Sequence, residues 1–477
     1  MAATQGSRGG EKMQVSDLDT IFQLQRDACR RQPNPPAGER RAHLDAMCRL
    51  LLEHGDTIAA AIDADFGHRS VHETKILEIF PALQAAKHAR AHVAKWMRPE
   101  RKSVSIWFMP GRARVVKQPL GVVGIIVPWN YPLYLAVGPL ISALAAGNRV
   151  MVKMSEFTPG LADLFAQLIG SYFAPDHVAV VNGGVEVAQA FAAKPFDHLL
   201  FTGSTSVGHQ IMRAAAENLT PVTLELGGKS PAIIAPEFPV DVAARRIIWG
   251  KCLNAGQTCI APDYVLLPEA EVQGFIDSAR DEVRRFYPEG AASADYSTLI
   301  NAHHYGRLLG YLEDARAKGA QVVALADGGS QSTRKLPPTI VTEVNDDMRV
   351  MQDEIFGPLL PIVPYRNLDE ALGYVADHPR PLAMYYFDYD RARIERVLHD
   401  SVAGGVTIND TMLHIAQDEL PFGGVGASGM GQYHGEEGFN IFSKRKGVFL
   451  QSRLNGLWLF KPPFGKRVEK LFKLMLR

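Results

Sequence analysis

The chain has 477 residues, 47% of them apolar, and Lys plus Arg equals Asp plus Glu at 51 each, so the formal net charge is zero. That is more chain than one hydrophobic core supports, so two or more domains are expected and disorder is excluded. The balanced charge gives no broad basic footprint for nucleic acid, and the 4 cysteines, without paired spacing, point away from a disulfide framework or a Cys-rich zinc site and toward a reducing cytoplasm.

Residues 1–12 are Gly-rich and polar, without the apolar run of a secretory signal. Between Ser16 and Trp96 the apolar residues recur at helical spacing, with Leu50, Leu51, Ile58 and Ile62 on one side, and Pro33 to Pro36 break the first segment. Residues 102–118 alternate around Met109-Pro-Gly-Arg112, with Val104, Ile106 and Phe108 before it and Val115 and Val116 after it, which predicts a hairpin whose apolar face has no obvious partner in its own chain. Short apolar runs at 120–127, 149–153, 177–181, 198–202 and 223–226 then alternate with helical stretches ending near Gly147, Phe173 and Asn218. This is the pattern of a doubly wound, parallel α/β sheet, whose ligands bind at the carboxyl ends of the strands. A second alternating unit runs from Pro231 to Asp418, with strands predicted at 264–267, 320–324 and 404–409. No run reaches the roughly 18 apolar residues of a membrane span. The end of the chain, 461–477, places Lys466, Arg467, Lys470 and Lys473 against Val468, Leu471, Phe472 and Met475, a basic amphipathic helix. Such a helix either docks on the protein near the substrate entrance, the favoured reading, or rests weakly on an anionic membrane surface.

Cys259 lies in Asn254-Ala-Gly-Gln-Thr-Cys-Ile-Ala-Pro-Asp-Tyr264, a tight polar turn between apolar segments. It reads either as a small buried hydrophobe, as do Cys29, Cys48 and Cys252, or as a presented nucleophile. Cysteine needs least help as a nucleophile, since a pKa of about 8.5 leaves some thiolate at neutral pH. Upstream, Leu224-Glu-Leu-Gly-Gly-Lys-Ser-Pro231 carries Glu225, a carboxylate that could activate water to clear a covalent intermediate. Of two glycine motifs, Gly424-Val-Gly-Ala-Ser-Gly429 fits the dinucleotide pattern only by letter and reads as a structural loop. Gly203-Ser-Thr-Ser-Val-Gly208 follows a strand and opens a helix, which suits either a pyrophosphate or a plain turn.

Taken in order, Pro128-Trp-Asn130, Lys153 to Glu156, Phe201 to Gly208, Leu224 to Pro231, Asn254 to Tyr264, Glu354-Ile-Phe-Gly-Pro358 and Pro421-Phe-Gly-Gly424 resemble the aldehyde dehydrogenase superfamily. Within it, the 259–264 and 421–431 segments look like the class 3 branch, and most like its coniferyl aldehyde dehydrogenases; Met154 departs, where many relatives carry Pro. The resemblance implies a Rossmann-type cofactor domain over 1–101 and 119–226, an α/β catalytic domain over 227–420, and oligomerisation segments at 102–118 and 445–460 that build a homodimer. It implies a cytoplasmic enzyme that oxidises an aromatic or medium-chain aldehyde with NAD, or NADP, through a cysteine thioester. Cys259 would be the nucleophile, Glu225 the hydrolytic base and Asn130 an oxyanion donor. Lys153 and Glu156 would hold the adenosine ribose, Gly203 and Ser204 the pyrophosphate, and Glu354 with Phe356 the nicotinamide ribose side, with Trp129 and Gly208 also among the cofactor-binding residues and no metal. Tyr131, Trp107 and Met412 are candidates to line an apolar tunnel. A coenzyme A-acylating relative and a non-catalytic binding protein are the competing readings; Glu225 argues against the first, and the intact set of Cys259, Glu225 and Asn130 against the second.

Overall fold

The computed structural model describes residues 15–476, so the reading of residues 1–12 lies outside the described part. Helices Val15–Arg31, Ala37–Phe66 and Phe80–Trp96 make the expected amino-terminal layer, with the Pro33 to Pro36 break between the first two. The second helix stops at Gly67, whose φ of 77° is a left-handed conformation that costs glycine little. Its buried stripe of Leu44, Leu51, Ile58 and Ile62 packs against the helices Phe80–Trp96 and Tyr134–Ala146. Between them the helix Val71–Thr74 runs into a π-helical turn, Lys75–Ile79.

A six-stranded sheet follows in the order Gly429–Met430, Val222–Leu226, His198–Gly203, Val122–Ile126, Arg149–Lys153, Val178–Val181. The chain enters at Val122–Ile126, adds two strands on one side, then returns to add the others on the opposite side. The switch point therefore falls between Val122–Ile126 and His198–Gly203, and their carboxyl ends open into a crevice where such sheets take ligands. Both Val122–Ile126 and Arg149–Lys153 are buried along their whole length, as strands covered by helices on both faces must be. The strands over 122–226 pair in parallel, as expected, and the sheet gains an unforeseen edge strand, Gly429–Met430, antiparallel to Val222–Leu226. The loop before that strand is structural, as its sequence suggested: a Cβ on Gly424 would sit 2.0 Å from the Ser428 carbonyl oxygen. A helix not foreseen, Val185–Ala192, lies between the strands Val178–Val181 and His198–Gly203.

The second unit is a seven-stranded sheet in the order Gln321–Ala324, Thr339–Thr342, Leu359–Tyr365, Tyr264–Pro268, Pro231–Ile234, Ala383–Phe387, Gly405–Ile408. It too is parallel except at one edge, where Gln321–Ala324 runs antiparallel. The amino ends of Pro231–Ile234 and Tyr264–Pro268 are tied together by the Asp263 amide donating to the Ser230 carbonyl at 2.8 Å. That junction carries the 227–230 and 253–262 segments back toward the first sheet.

The hairpin expected over 102–118 is corrected in two respects. Val104 is not in a strand and Ile106–Phe108 is a 3₁₀ turn, so the strands are Glu100–Lys102 and Arg112–Pro119 with a long connection between them. Arg112–Pro119 also has a partner in its own chain, the strand Ser443–Leu450, paired along its full length. The tail forms the expected amphipathic helix, Lys466–Met475. Only Val468 among its apolar residues is buried; the helix packs on the turn Leu457–Phe460, with Arg467 over the Trp458 ring at 4.9 Å, while Phe472, Leu474 and Leu476 face outward. Among the described residues no helix is long and apolar enough to cross a membrane.

Candidate active site

Cys259 is presented by a loop that the chain bends into unusual backbone angles. After the helix Val240–Cys252, Asn254 and Ala255 take φ of 51° and 52°, and Gly256 follows at 75°. A Cβ on Gly256 would lie 2.2 Å from the Gly357 carbonyl oxygen, so this position requires glycine. The strain is held by buried hydrogen bonds. Asn254 N donates to Glu73 Oε1 at 2.7 Å, Gln257 Nε2 donates to the Asn254 and Thr298 carbonyls at 2.9 and 3.1 Å, and Gln257 Oε1 accepts from Ile300 N at 2.9 Å. Cys48 and Cys252 are buried as small hydrophobes, whereas Cys29 and Cys259 are only half-buried, and Cys259 lines two cavities.

Two cavities meet at that thiol. One, of about 290 Å³, is apolar and includes Ile76, Phe80, Tyr131, Trp249, Met412 and Tyr433. The other, of about 200 Å³, opens at the switch point of the first sheet and includes Trp129, Asn130, Gly203, Ser204, Glu354 and Phe356. Cys259, Glu225, Thr202 and Leu226 belong to both walls. Tyr131 and Met412 thus line the apolar cavity as anticipated, but Trp107 does not: it sits on the Ile106–Phe108 turn, in the layer of the three-stranded sheet.

Electrostatically this junction is under-satisfied. Glu225, at the end of Val222–Leu226, is 3% exposed, and neither carboxylate oxygen has a hydrogen-bond partner, so burial pushes it well above the ordinary carboxyl range. Glu354 is raised to about 8, first by burial and then by Asp263, and its Oε1 is also unpartnered. Burial, followed by the charges of Glu354 and Glu225, raises the Cys259 thiol. Buried polar atoms without partners are rare in folded proteins and mark places that a bound molecule or water completes. Asn130 Nδ2 spends one hydrogen on the Gln257 carbonyl at 3.1 Å and keeps its second.

The polar cavity suits a dinucleotide. Ser204 N-caps the helix Thr205–Ala216, its Oγ accepting from Val207 N, so Gly203 and Ser204 stand at a helix amino terminus suited to a pyrophosphate. A Cβ on Gly227 would lie 1.9 Å from Glu354 Oε2, so the Gly-Gly pair lets that carboxylate lie against the backbone. The Trp129 and Phe356 rings meet at 5.4 Å. Three of the anticipated cofactor residues are not among the cavity lining. Lys153 and Glu156 form an ion pair at 3.8 Å beyond the carboxyl end of Arg149–Lys153, with Lys153 Nζ also donating to the Met154 carbonyl at 2.6 Å. Gly208 faces Leu226, whose Cδ2 would be 2.8 Å from an added Cβ, so its glycine serves close helix-to-strand packing.

Sequence reasoning missed the residues that hold the two loops together. Arg69, fully buried, donates to Glu78 Oε1 at 2.6 Å and to the Asn130 carbonyl at 3.2 Å, and stacks over the Tyr131 ring at 4.9 Å. Glu78 Oε2 accepts from the Leu133 and Tyr134 amides at 2.8 and 3.1 Å, which starts the helix Tyr134–Ala146. Glu73 accepts from Asn254 N and from Ser297 Oγ at 2.6 Å. Charged residues on a helical stretch read as solvated in sequence, and the π-helical turn that carries Glu78 inward has no local signature. Arg307 is likewise unforeseen, and donates to the Ile355 carbonyl at 2.8 Å beside Glu354. Arg69→Met is expected to lower unfolding stability by about 3–5 kcal/mol, because it strands the buried Glu78 charge. Chemical denaturation measures this, and a loss below about 1 kcal/mol would remove the scaffold role.

Residues 9–448 match the aldehyde dehydrogenase family. A "Probable coniferyl aldehyde dehydrogenase" of Pseudomonas aeruginosa is 54% identical over 98% of this chain and 98% of its own. The "Aldehyde dehydrogenase family 3 member A2" of Rattus norvegicus is 41% identical over 91% of this chain and 88% of its own. Among solved structures, the substrate-bound state of Staphylococcus aureus AldH superimposes with a TM-score of 0.91 at 36% identity, covering 96% of this chain and 99% of that one.

Proposed function

Because the chain belongs to the aldehyde dehydrogenase family and oxidises an aldehyde with NAD or NADP, we propose that Cys259 is its nucleophile, Glu225 its general base and Asn130 its side-chain oxyanion donor. One observation carries this reading: the thiol and the orphaned carboxylate stand in the shared wall of an apolar and a polar cavity. An aldehyde entering through the apolar cavity meets the sulfur of Cys259, which gives up its thiol proton to water and adds as the thiolate to the carbonyl carbon. The developing oxyanion takes the Nδ2 hydrogen of Asn130 that the Gln257 bond leaves over, and the backbone N–H of Cys259. Gly203, Ser204, Trp129, Glu354 and Phe356 would hold NAD or NADP, with Lys153 and Glu156, outside the cavity lining, toward its ribose, and the bound cofactor would supply the hydride acceptor. Glu225 then takes a proton from water as the hydroxyl attacks the thioester carbon, and Cys259 leaves as the carboxylic acid forms. Coenzyme A transfer would have to suppress that hydrolysis, and the intact Glu225 speaks against it.

The substrate is an aromatic aldehyde of the coniferyl type, as the name of the Pseudomonas aeruginosa relative suggests. Phe80, Tyr131, Trp249 and Tyr433 supply aromatic walls for it. A panel of aromatic and aliphatic aldehydes followed by NADH absorbance should give the highest kcat/KM with an aromatic enal, and a preference for short aliphatic aldehydes would reject the assignment. Glu156 favours NAD, since its carboxylate repels a 2′-phosphate. Glu156→Gln should narrow the ratio of NAD to NADP efficiency, and an unchanged ratio would clear Glu156 of the role.

The cofactor domain spans 1–101 and 119–226, and the catalytic domain 227–420. Dimerisation through 102–118 and 445–460 is supported by exposed apolar residues: Ile106, Phe108 and Met109 on the connection before Arg112–Pro119, and Phe449 and Leu450 on the strand Ser443–Leu450. The outward apolar face of the tail helix, rimmed by Lys466, Lys470 and Lys473, suits weak contact with an anionic membrane from a cytoplasmic location. A monomer by light scattering would reject the dimer, and equal flotation on anionic vesicles by the full chain and one ending at Phe460 would reject the tail's role.

A further inference from the structure

Beside the apolar cavity, and outside the proposed chemistry, stand His88 and His92 on the helix Phe80–Trp96 and Glu419 from the loop that leads to Pro421. The two histidines are four residues apart, so the helix stacks them on one face. One ligand atom from each of the three residues lies within 4.8 Å of the other two. His92 Nδ1 donates to the His88 carbonyl at 2.9 Å, which sets the ring and leaves the Nε2 lone pair free. The imidazoles stack at 4.2 Å, and Trp96 stacks on His92 at 5.8 Å and 22°. His88 Nε2 already lies 3.9 Å from Glu419 Oε1, and the Glu419 side chain, 81% exposed, is free to close the remaining distance.

We propose that His88, His92 and Glu419 bind a divalent first-row transition ion such as zinc, nickel or copper. Two imidazoles and one carboxylate match the donor preference of those ions over magnesium or calcium, and three protein ligands leave a position for water. The site has a place in the enzyme's architecture, on the reading that the apolar cavity admits the aldehyde. Gln84, one turn before His88, lines that cavity, as do Leu413, Ile415, Ala416 and Asp418 on the loop that carries Glu419. An ion held between helix and loop ties two walls of the entrance together and restricts the path to Cys259, without touching the cofactor cavity.

The test uses the full chain carrying Cys259→Ser, so that metal cannot bind the nucleophilic thiol, freed of metal with a chelator and titrated calorimetrically with Zn(II). About one equivalent should bind. His92→Ala or Glu419→Gln in the same background should each weaken binding by roughly tenfold or more, the scale of losing one metal ligand or its support. Glu419 is exposed, so its variant keeps the fold whatever His92→Ala does. Unchanged Zn(II) affinity in both variants, or no binding at all, overturns the site. With Cys259 intact, Zn(II) should raise the aldehyde KM of the parent more than that of Glu419→Gln; equal effects on the two would overturn the clamp.

Discussion

Cys259→Ser is expected to bring dehydrogenase turnover below about one per cent of the parent rate, in keeping with typical losses on removing a nucleophile, while NAD binding and thermal stability hold. The substitution is nearly isosteric, and the loop is fixed by Gln257 and Asn254 rather than by the sulfur, so the backbone donors stay where they are. What changes is the nucleophile. A serine hydroxyl ionises far less readily than the thiol it replaces, and Glu225, the carboxylate in the shared wall, is proposed to act on water instead. NADH release measured by absorbance and NAD binding by calorimetry separate lost chemistry from lost structure. Retained turnover would sink the assignment of Cys259.

Glu225→Gln should leave the first turnover intact and stall the second. Neither oxygen of Glu225 bonds to the protein, so an amide fits without breaking a contact, but it cannot accept a proton from water. Stopped flow should show a burst of NADH followed by slow turnover, and absence of the burst would place Glu225 earlier in the reaction. The raised pKa of Glu225 also sets a sign. Its basic form grows as pH rises through that raised pKa, so parent deacylation should quicken with pH over that range, and the Gln variant should lose that dependence. For stability, a carboxyl whose folded pKa lies above its unfolded value favours the fold while protonated, and this advantage is lost as pH rises from the unfolded toward the folded pKa. Unfolding at pH 4 and pH 8 should therefore show the Gln variant gaining on the parent at the higher pH.

Much of the site was legible because its parts are local. Strand followed by Gly203-Ser204 and a helix, a carboxylate at the end of Val222–Leu226, and a glycine-rich turn before Cys259 are short-range patterns, and their order along the chain carried the family resemblance. The alternation of strands and helices likewise announced two α/β units. Local periodicity did not extend to pairings made across the chain. It left Arg112–Pro119 without the partner it finds in Ser443–Leu450, and left Gly429–Met430 out of the sheet that carries Glu225, because strand pairing depends on residues hundreds of positions apart.

By itself, then, the sequence determined the chemistry available: which thiol, which carboxylates, which glycines and which fold class. Only the tertiary structure decided that Cys259 and Glu225 share a wall between an apolar and a polar cavity, that Gly208 packs against a strand, and that Trp107 stands apart from the tunnel. It also decided that Arg69, Glu73 and Glu78 turn inward to brace the Asn130 and Cys259 loops. The reason is physical. Residue type and spacing set local conformation, whereas burial, cavity shape and the loss of solvent around a carboxylate arise only when distant segments exclude water together.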